Sequence, residues 1–426
     1  MAAMIRRLYS LLLLVLCPII VAYLYVIRGK KNALYKANFS ERFGVAPSSA
    51  SQQAIMVHCA SVGEVLAAAP LVRALLAEHP DTPFILTCNT PTGREQLAQL
   101  FAKEDQHITI CYLPIDFAFA TRRFINQLRP KLLLVLETEL WPNLFYYAKK
   151  AACPVTVVNA RLSKKSQAGY QKVAPLSQFL MDQIDMLASH NKEDAERFVE
   201  LGLAREKVTV TGSIKFDISL DDNQQEKIDT IKAQLGARPV WVAGSTHPME
   251  HEQVLAAHQN ILAQLPDALL IIAPRHPEQF DKVAALIEAQ ALSYSRRSQQ
   301  YKASSQVLLA DTLGELKLLY GCGQIAYIGG SLIERGGHNP LEAAACSVGV
   351  LTGPHTYNFA HIYPELISMQ GAIEVADPQV LADTLLVYLR SKQDANELGA
   401  HAKACLARNQ GAIARSITMI NALLEK

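Results

Sequence analysis

Short, near-continuous apolar runs recur along this chain, each closed by a turn and followed by an amphipathic helical pattern. That alternation limits the possible folds more than any other feature. In the first half the strand candidates are 54–58, 84–88, 108–112, 132–137, 155–159, 186–189 and 208–211. Helical patterns such as 93–101, 118–128 and 193–201 separate them. Strands alternating with helices predict a parallel sheet with helices on both faces. The strands lack polar alternation, as expected when both faces are covered. Residues 219–236 then change texture, polar at the start and helical at the end. A second series follows at 240–244, 268–273, 307–310, 325–328, 348–351 and 373–375, with helices such as 251–264 and 340–345 between. The expected organisation is an N-terminal segment 1–30, an α/β domain over 31–218, a linker at 219–236, a second α/β domain over 237–401, and a helical tail at 402–426. A chain of 426 residues accommodates this, at about 150 residues per domain.

Residues 8–27, LYSLLLLVLCPIIVAYLYVI, carry no charge, a run long enough to span a bilayer as a helix. The run exceeds the core of a signal peptide, and no small-x-small cleavage site follows it. Arg28, Lys30, Lys31, Lys36 and Arg42 come after it, whereas only Arg6, Arg7 and the amino terminus precede it. This asymmetry predicts a retained anchor with the remaining chain on the cytoplasmic side. The basic stretch 28–42 also suits anionic lipid. Pro18 leaves a kinked, tilted or partly embedded helix as an alternative. A net charge of +2 does not suggest a nucleic-acid binder. The eight cysteines form no CxxC pair and read as reduced thiols in a cytosolic compartment.

Several familiar motifs are missing or out of context. There is no GxxxxGKS/T phosphate loop. GCGQIA at 321–326 matches GxGxxA but precedes a strand, so it reads as a helix-terminating turn. His247 and His251 are spaced i, i+4 without HExxH, which favours a structural or solvent-facing pair. Glu64 is more informative. It follows the first strand and a tight turn, AIMVHCASVGE, and enters the next helix near its first turn. In a parallel sheet that turn lies at the carboxyl edge, where ligands bind. Glu64 is therefore either a helix-dipole partner or a general base toward a hydroxyl. In LLLVLETELWPN, Glu137 and Glu139 follow another buried strand to the same edge. Lys215, in VTGSIKFD, closes the first domain and reads as a solvated surface lysine or a group able to reach across the interdomain cleft.

The second domain offers three stations. IIAPRHP ends a strand with Pro274, Arg275 and His276, and Arg275 suits a phosphate. DTLGEL at 311–316 enters a helix whose first amides are available to an anion. IGGSLIERGGHNPLEAAA at 328–345 places two glycine-rich loops before Asn339, a helix cap, and Pro340 in the first helical position. Glu342, in that first turn, suits ribose hydroxyls. Together they describe a nucleotide site.

ASVGE, LETELWPN, VNARLS, TGSIKFD, APRHP, DTLGEL and GGHNPLEAA, in that order, resemble the Kdo transferases of lipopolysaccharide synthesis, Kdo being 3-deoxy-D-manno-oct-2-ulosonic acid. The resemblance covers essentially the entire chain. It implies the GT-B architecture, with two Rossmann-like domains facing across a cleft behind the anchor. It implies transfer of Kdo from CMP-Kdo to the 6′-hydroxyl of lipid IVA, the tetraacylated lipid A precursor, with inversion, release of CMP, and no metal or cofactor. Carried over by motif, Glu64 is the general base, and Glu137 and Lys215 support the transition state. CMP contacts fall on Pro274, Arg275, Leu313, Gly314, Glu315, Asn339, Pro340, Leu341 and Glu342. Family members add one, two or more Kdo units, and the motifs carry no count. Two alternatives are a non-hydrolysing sugar-nucleotide epimerase of related fold, which is soluble, and a membrane-tethered, two-lobed binding protein.

Overall fold

The computed structural model describes residues 2–104 and 107–425. The chain divides into two compact units, Met1–Lys215 with Gly411–Lys426, and Phe216–Gln410. In the first unit, β1 (Ile55–Cys59), β2 (Phe84–Cys88), β3 (Ile108–Tyr112), β4 (Leu132–Leu136), β5 (Val155–Ala160), β6 (Met186–Ser189) and β7 (Val208–Val210) form one parallel sheet in the order β3-β2-β1-β4-β5-β6-β7. Alternate side chains of a strand serve opposite faces. Met56, Leu133 and Val135 enter one apolar core, while Ile55, Val57, Leu132 and Leu134 enter the other. Every residue of β1 and β4 is buried, which is why these runs show no polar alternation.

The second unit repeats the plan. β8 (Val240–Thr246), β9 (Leu269–Pro274), β10 (Tyr294–Arg296), β11 (Val307–Leu309), β12 (Ile325–Ile328), β13 (Gly349–Thr352) and β14 (Ala372–Glu374) form a second parallel sheet, ordered β10-β11-β9-β8-β12-β13-β14. β10 has no counterpart among the sequence-based strands. It is a three-residue edge strand, Tyr-Ser-Arg, with only its serine buried, so it lacks an apolar run.

The expected linker at 219–236 is instead mostly the helix Asp222–Leu235. Asp221 and Gln224 form a reciprocal capping box at its start. Ile228, Ile231 and Leu235, spaced for one face, are buried in the core of the second unit. Its polar residues are the solvated face of a docked helix. The chain passes between units at Lys215 and Phe216. The expected tail at 402–426 is also divided. The helix Lys392–Asn409 gives Ala402, Cys405 and Leu406 to the second core. The helix Ala412–Leu424 returns to the first unit, where Ala412, Ile417 and Ile420 pack in its core. Asn421 then bonds His79 at 2.9 Å and Glu78 at 2.7 Å.

The N-terminus forms the helix Ala2–Ala22, widens to a π-helical turn at Tyr23–Arg28, and continues through Gly29–Lys31. Among the described residues, Met4–Lys31 is the one helical stretch long and apolar enough to cross a membrane. Arg42, expected among the lipid-facing cations, is turned inward. It is buried, donates to the Asn89 carbonyl at 3.2 Å, and lies 4.1 Å from the Tyr112 ring centroid.

Candidate active site

In the first sheet the strand order reverses between β1 and β4, where diverging connections open a crevice at the carboxyl edge. Glu64 follows β1 and Glu137 follows β4, so the sequence-predicted carboxylates flank that point. Ser61 caps the helix Val62–Glu78 by accepting the Glu64 N–H. Glu64 reciprocates. Its Oε2 accepts from the Ala60 N–H at 2.8 Å and its Oε1 from the Ser61 hydroxyl at 3.1 Å. Both donors favour the ionised carboxylate. Burial outweighs them, the charges of Glu137 and Glu139 add to it, and the Glu64 pKa is pushed up to about 7. Between these groups lies Gly63. A Cβ there would meet only Ser61 Oγ, at 3.8 Å, so packing does not demand glycine, and the bare backbone leaves room beside Glu64.

Glu137 occupies the left-handed region at φ 55°, an uncommon conformation for a residue with a side chain. Its N–H donates to the Val158 carbonyl at 2.9 Å, and its Oε1 accepts from Lys215 Nζ at 3.2 Å. Glu139 instead accepts from Trp141 Nε1 at 3.0 Å, so the two carboxylates have different partners. Lys215 is held by its neighbours' backbone. Asn159, at φ 59° near the end of β5, accepts the Ile214 N–H at 3.1 Å and the Ser213 hydroxyl at 3.3 Å through Oδ1. The same oxygen faces His190 Nε2. Asn159 thereby positions the turn that aims Lys215 at Glu137. The motif VNARLS contains this residue, but its role depends on a contact 55 residues away along the chain.

The second sheet reverses order between β8 and β12. Arg275 and His276 follow β9, beside β8, and both are exposed. The Arg275 N–H is fixed by the Thr246 carbonyl at 2.9 Å. Leu313 is 72% exposed, and Gly314 takes φ 81°. Glu315 accepts from Arg297 at 3.0 Å and from Thr312 at 2.5 Å, just before the helix Leu316–Cys322. That helix ends at Gly323, as GCGQIA predicts. The next helix begins one residue later than expected, at Leu341, with Pro340 as its N-cap. Asn339 still serves its start, accepting the Leu341 N–H at 3.1 Å. The Leu341 side chain is fully buried in the core, so only its backbone is available to a ligand. Burial raises the Glu342 pKa, while Lys317 and Arg275 act in the opposite direction.

The glycine-rich turn after β12 does not present its amides to a ligand. Glu250 is fully buried and accepts the N–H groups of Gly330 at 2.7 Å and of Ser331 and Leu332 at 3.2 Å. It also accepts the Tyr327 hydroxyl at 2.5 Å and the His247 N–H at 3.2 Å. An internal carboxylate thus occupies the anion-binding turn and fixes its shape.

His247 is not solvent-facing. Its Nε2 lies 2.8 Å from His338 Nε2, the rings stack at 5.1 Å, and His276 meets His247 edge-on at 5.5 Å. Burial, followed by the nearby histidines and arginines, pushes His247 down to about 4 and His338 to about 3. The pair therefore rests neutral, one ring donating to the other. Sequence spacing linked His247 to His251, whereas the fold brings it to His276 and His338 from other strands. Among the described residues, no cluster of three or more His, Cys, Asp or Glu side chains is arranged to hold a metal ion.

Two Rossmann-type units, each built on a seven-stranded parallel sheet with a switch point, give the chain a GT-B architecture. The family of 3-deoxy-D-manno-octulosonic-acid transferases (kdotransferases) matches residues 37–218. Over 427 residues the chain is 38% identical to the 3-deoxy-D-manno-octulosonic acid transferase of Haemophilus influenzae, covering 99% of each. It is 34% identical over 428 residues to the enzyme of the same name from Bordetella pertussis, covering 97% of this chain and 98% of that one. The chain belongs to the 3-deoxy-D-manno-octulosonic acid transferase family. A UDP-GlcNAc 2-epimerase from Neisseria meningitidis, bound to UDP-GlcNAc, shares the fold at a TM-score of 0.60 and 14% identity, over 87% of this chain and 100% of that one.

Proposed function

We propose that this Kdo transferase takes Kdo from CMP-Kdo and places it on the 6′-hydroxyl of the tetraacylated lipid A precursor, lipid IVA, at the cytoplasmic face of the inner membrane. The observation that carries the reading is Glu64. It is a half-buried carboxylate at the first switch point, its pKa is lifted to about 7, and it stands near the ion pair of Glu137 with Lys215. A base of that strength is matched to a sugar hydroxyl near neutral pH. Glu64 removes the hydroxyl proton as the acceptor oxygen bonds to the anomeric carbon, on the face opposite the phosphate. The carbon–phosphate-oxygen bond breaks, and its electron pair leaves with CMP. One carboxylate suffices for inversion, because the leaving group is already a stable anion and is best served by fixed cations and amide donors.

Lys215, oriented by Glu137 and by the Asn159-held turn, supplies positive charge where the transition state develops it. In the second unit, Pro274 and Arg275 receive the nucleotide phosphate, with Leu313, Gly314 and Glu315 and with Asn339, Pro340, Leu341 and Glu342 completing the CMP site. The neutral His247–His338 pair adds polarisable donors beside Arg275, suited to an anionic donor. No cofactor takes part in this scheme.

Incubation with CMP-Kdo and lipid IVA, read by mass spectrometry, tests the activity and counts the sugars transferred. Glu64→Gln keeps the volume and one acceptor oxygen for the Ala60 N–H but cannot take the proton. It is expected to lose at least ~10²-fold in turnover. Wild-type turnover in that variant removes Glu64 from the role of base.

A further inference from the structure

The N-terminal helix has one polar stripe, and that stripe is docked on the first unit. Arg6 is buried. Its guanidinium donates to Asn143 Oδ1 at 2.9 Å and lies 3.9 Å from the Tyr146 ring centroid. One turn on, the Tyr9 hydroxyl donates to Asp116 at 3.1 Å and the Ser10 hydroxyl to Asn143 Oδ1 at 2.9 Å. Asp116 is itself fixed, accepting the N–H groups of Asn143 at 2.9 Å and Leu144 at 2.8 Å, in the first turn of the helix Pro142–Lys150.

The far end of the apolar run returns to the same place. Tyr25 packs edge-on against Phe39 at 5.2 Å, Phe39 against Phe43 at 5.7 Å, and Phe43 stacks on Phe117 at 6.3 Å. The Ile115 N–H donates to the Arg42 carbonyl at 3.0 Å. Residues 115–117 therefore hold the chain from both sides of its most apolar stretch. From Tyr9 to Tyr25 a helix rises about 24 Å. A spanning helix has to carry its two ends to opposite interfaces of a hydrocarbon layer about 30 Å thick. Here the Tyr9 hydroxyl is bonded to the residue next to Phe117, which Phe43 covers. Moving Arg6 across the bilayer would break a buried cation's contacts and leave Asp116 and Asn143 without these donors.

The opposite face of the helix is bare. Leu8, Leu11, Leu12, Val15 and Ile19 share one side by their spacing, and each is more than half exposed. Arg7, Arg28, Lys30, Lys31 and Lys36, at the two ends, are exposed as well. We propose that this helix lies in the plane of a single leaflet. Its bare apolar face sits among acyl chains, its exposed cations meet anionic headgroups, and both its ends stay on the side of the catalytic units. This rests on the membrane association proposed above and not on the transferase chemistry.

The test is an epitope tag fused to the amino terminus of the full chain, with protease added to intact spheroplasts and to inside-out vesicles. The in-plane helix predicts complete loss of the tag in inside-out vesicles and no loss in spheroplasts. Loss of the tag in spheroplasts places the amino terminus across the membrane and overturns the proposal. Carbonate extraction of the same vesicles reads attachment separately. Release of the chain into the supernatant overturns the leaflet as occupant. Neither readout uses catalytic turnover, so a failure of the acceptor assignment does not alter either result.

Discussion

At the level of single residues, the surroundings of Glu64, the proposed base, pull its proton in opposite directions. As a helix-capping carboxylate it accepts from Ala60 and Ser61, and both contacts favour ionisation. Poor solvation and the charges of Glu137 and Glu139 favour the proton and win, bringing the pKa to about 7. A general base must be ionised to act. With a soluble acceptor, kcat/KM is therefore expected to rise with pH up to about 7 and to level off above it. Glu139→Gln removes one of the charges that oppose ionisation, so the midpoint should move to lower pH. An unmoved or raised midpoint, measured as a pH–rate profile of that variant, sinks this account of the base. The same shift has a stability consequence with a definite sign. A raised carboxylate pKa favours the fold most when the group is protonated. That contribution is lost as pH rises through about 7, where the folded state must hold the charge. The sequence placed Glu64 at a helix start but showed neither the burial nor the neighbouring charges, because Glu137 and Glu139 reach it only through the β1–β4 pairing.

Among the elements, close approach outweighs propensity at Gly399 in the helix Lys392–Asn409. Alanine in a helix interior is normally better than glycine by about 1 kcal/mol. A Cβ at Gly399 would stand 2.0 Å from the Ser347 carbonyl oxygen, just before β13, where no flexible side chain can yield. Overpacking costs about 1–3 kcal/mol. Gly399→Ala is therefore expected to lower the thermal unfolding midpoint instead of raising it, and a higher midpoint would show that the helix slides without cost.

Elements with a local signature were legible in the sequence. The buried strands stood out because both faces are covered, and their order could be inferred as parallel because helices intervene. β10 was hidden because an edge strand of three residues needs no apolar run. The helical end of 219–236 was legible, but its place in the second unit was not, because a helix docked on one face has a polar face that resembles a linker when its burial is unknown. The glycine-rich turn after β12 reads in the sequence as part of a nucleotide site, but its amides are taken by Glu250, from the helix after β8. The histidine cluster was out of reach for the same reason, since the connections after β8, β9 and β12 build it.

For the molecule as a unit, the proposed in-plane placement of the N-terminal helix would set where the enzyme meets its proposed lipid acceptor. Deleting the helix would be a poor test, because it would also strip Asp116 and Asn143 of the partners that Tyr9, Ser10 and Arg6 provide. Replacing Leu11, Leu12 and Val15 with serine leaves those contacts in place and alters only the exposed face. Burying a large apolar side chain contributes about 1.5–3 kcal/mol. Losing three should weaken membrane partitioning on the order of 10³-fold or more. Holding enzyme and acceptor on one surface raises their effective concentration without any new contact. The triple variant should therefore leave the membrane pellet and lose activity toward acceptor embedded in vesicles, while retaining near-normal turnover of detergent-dispersed acceptor. Parallel assays on the two acceptor forms make the comparison. Equal loss in both would mean that the apolar face supports the catalytic unit itself, and that membrane contact is not its purpose.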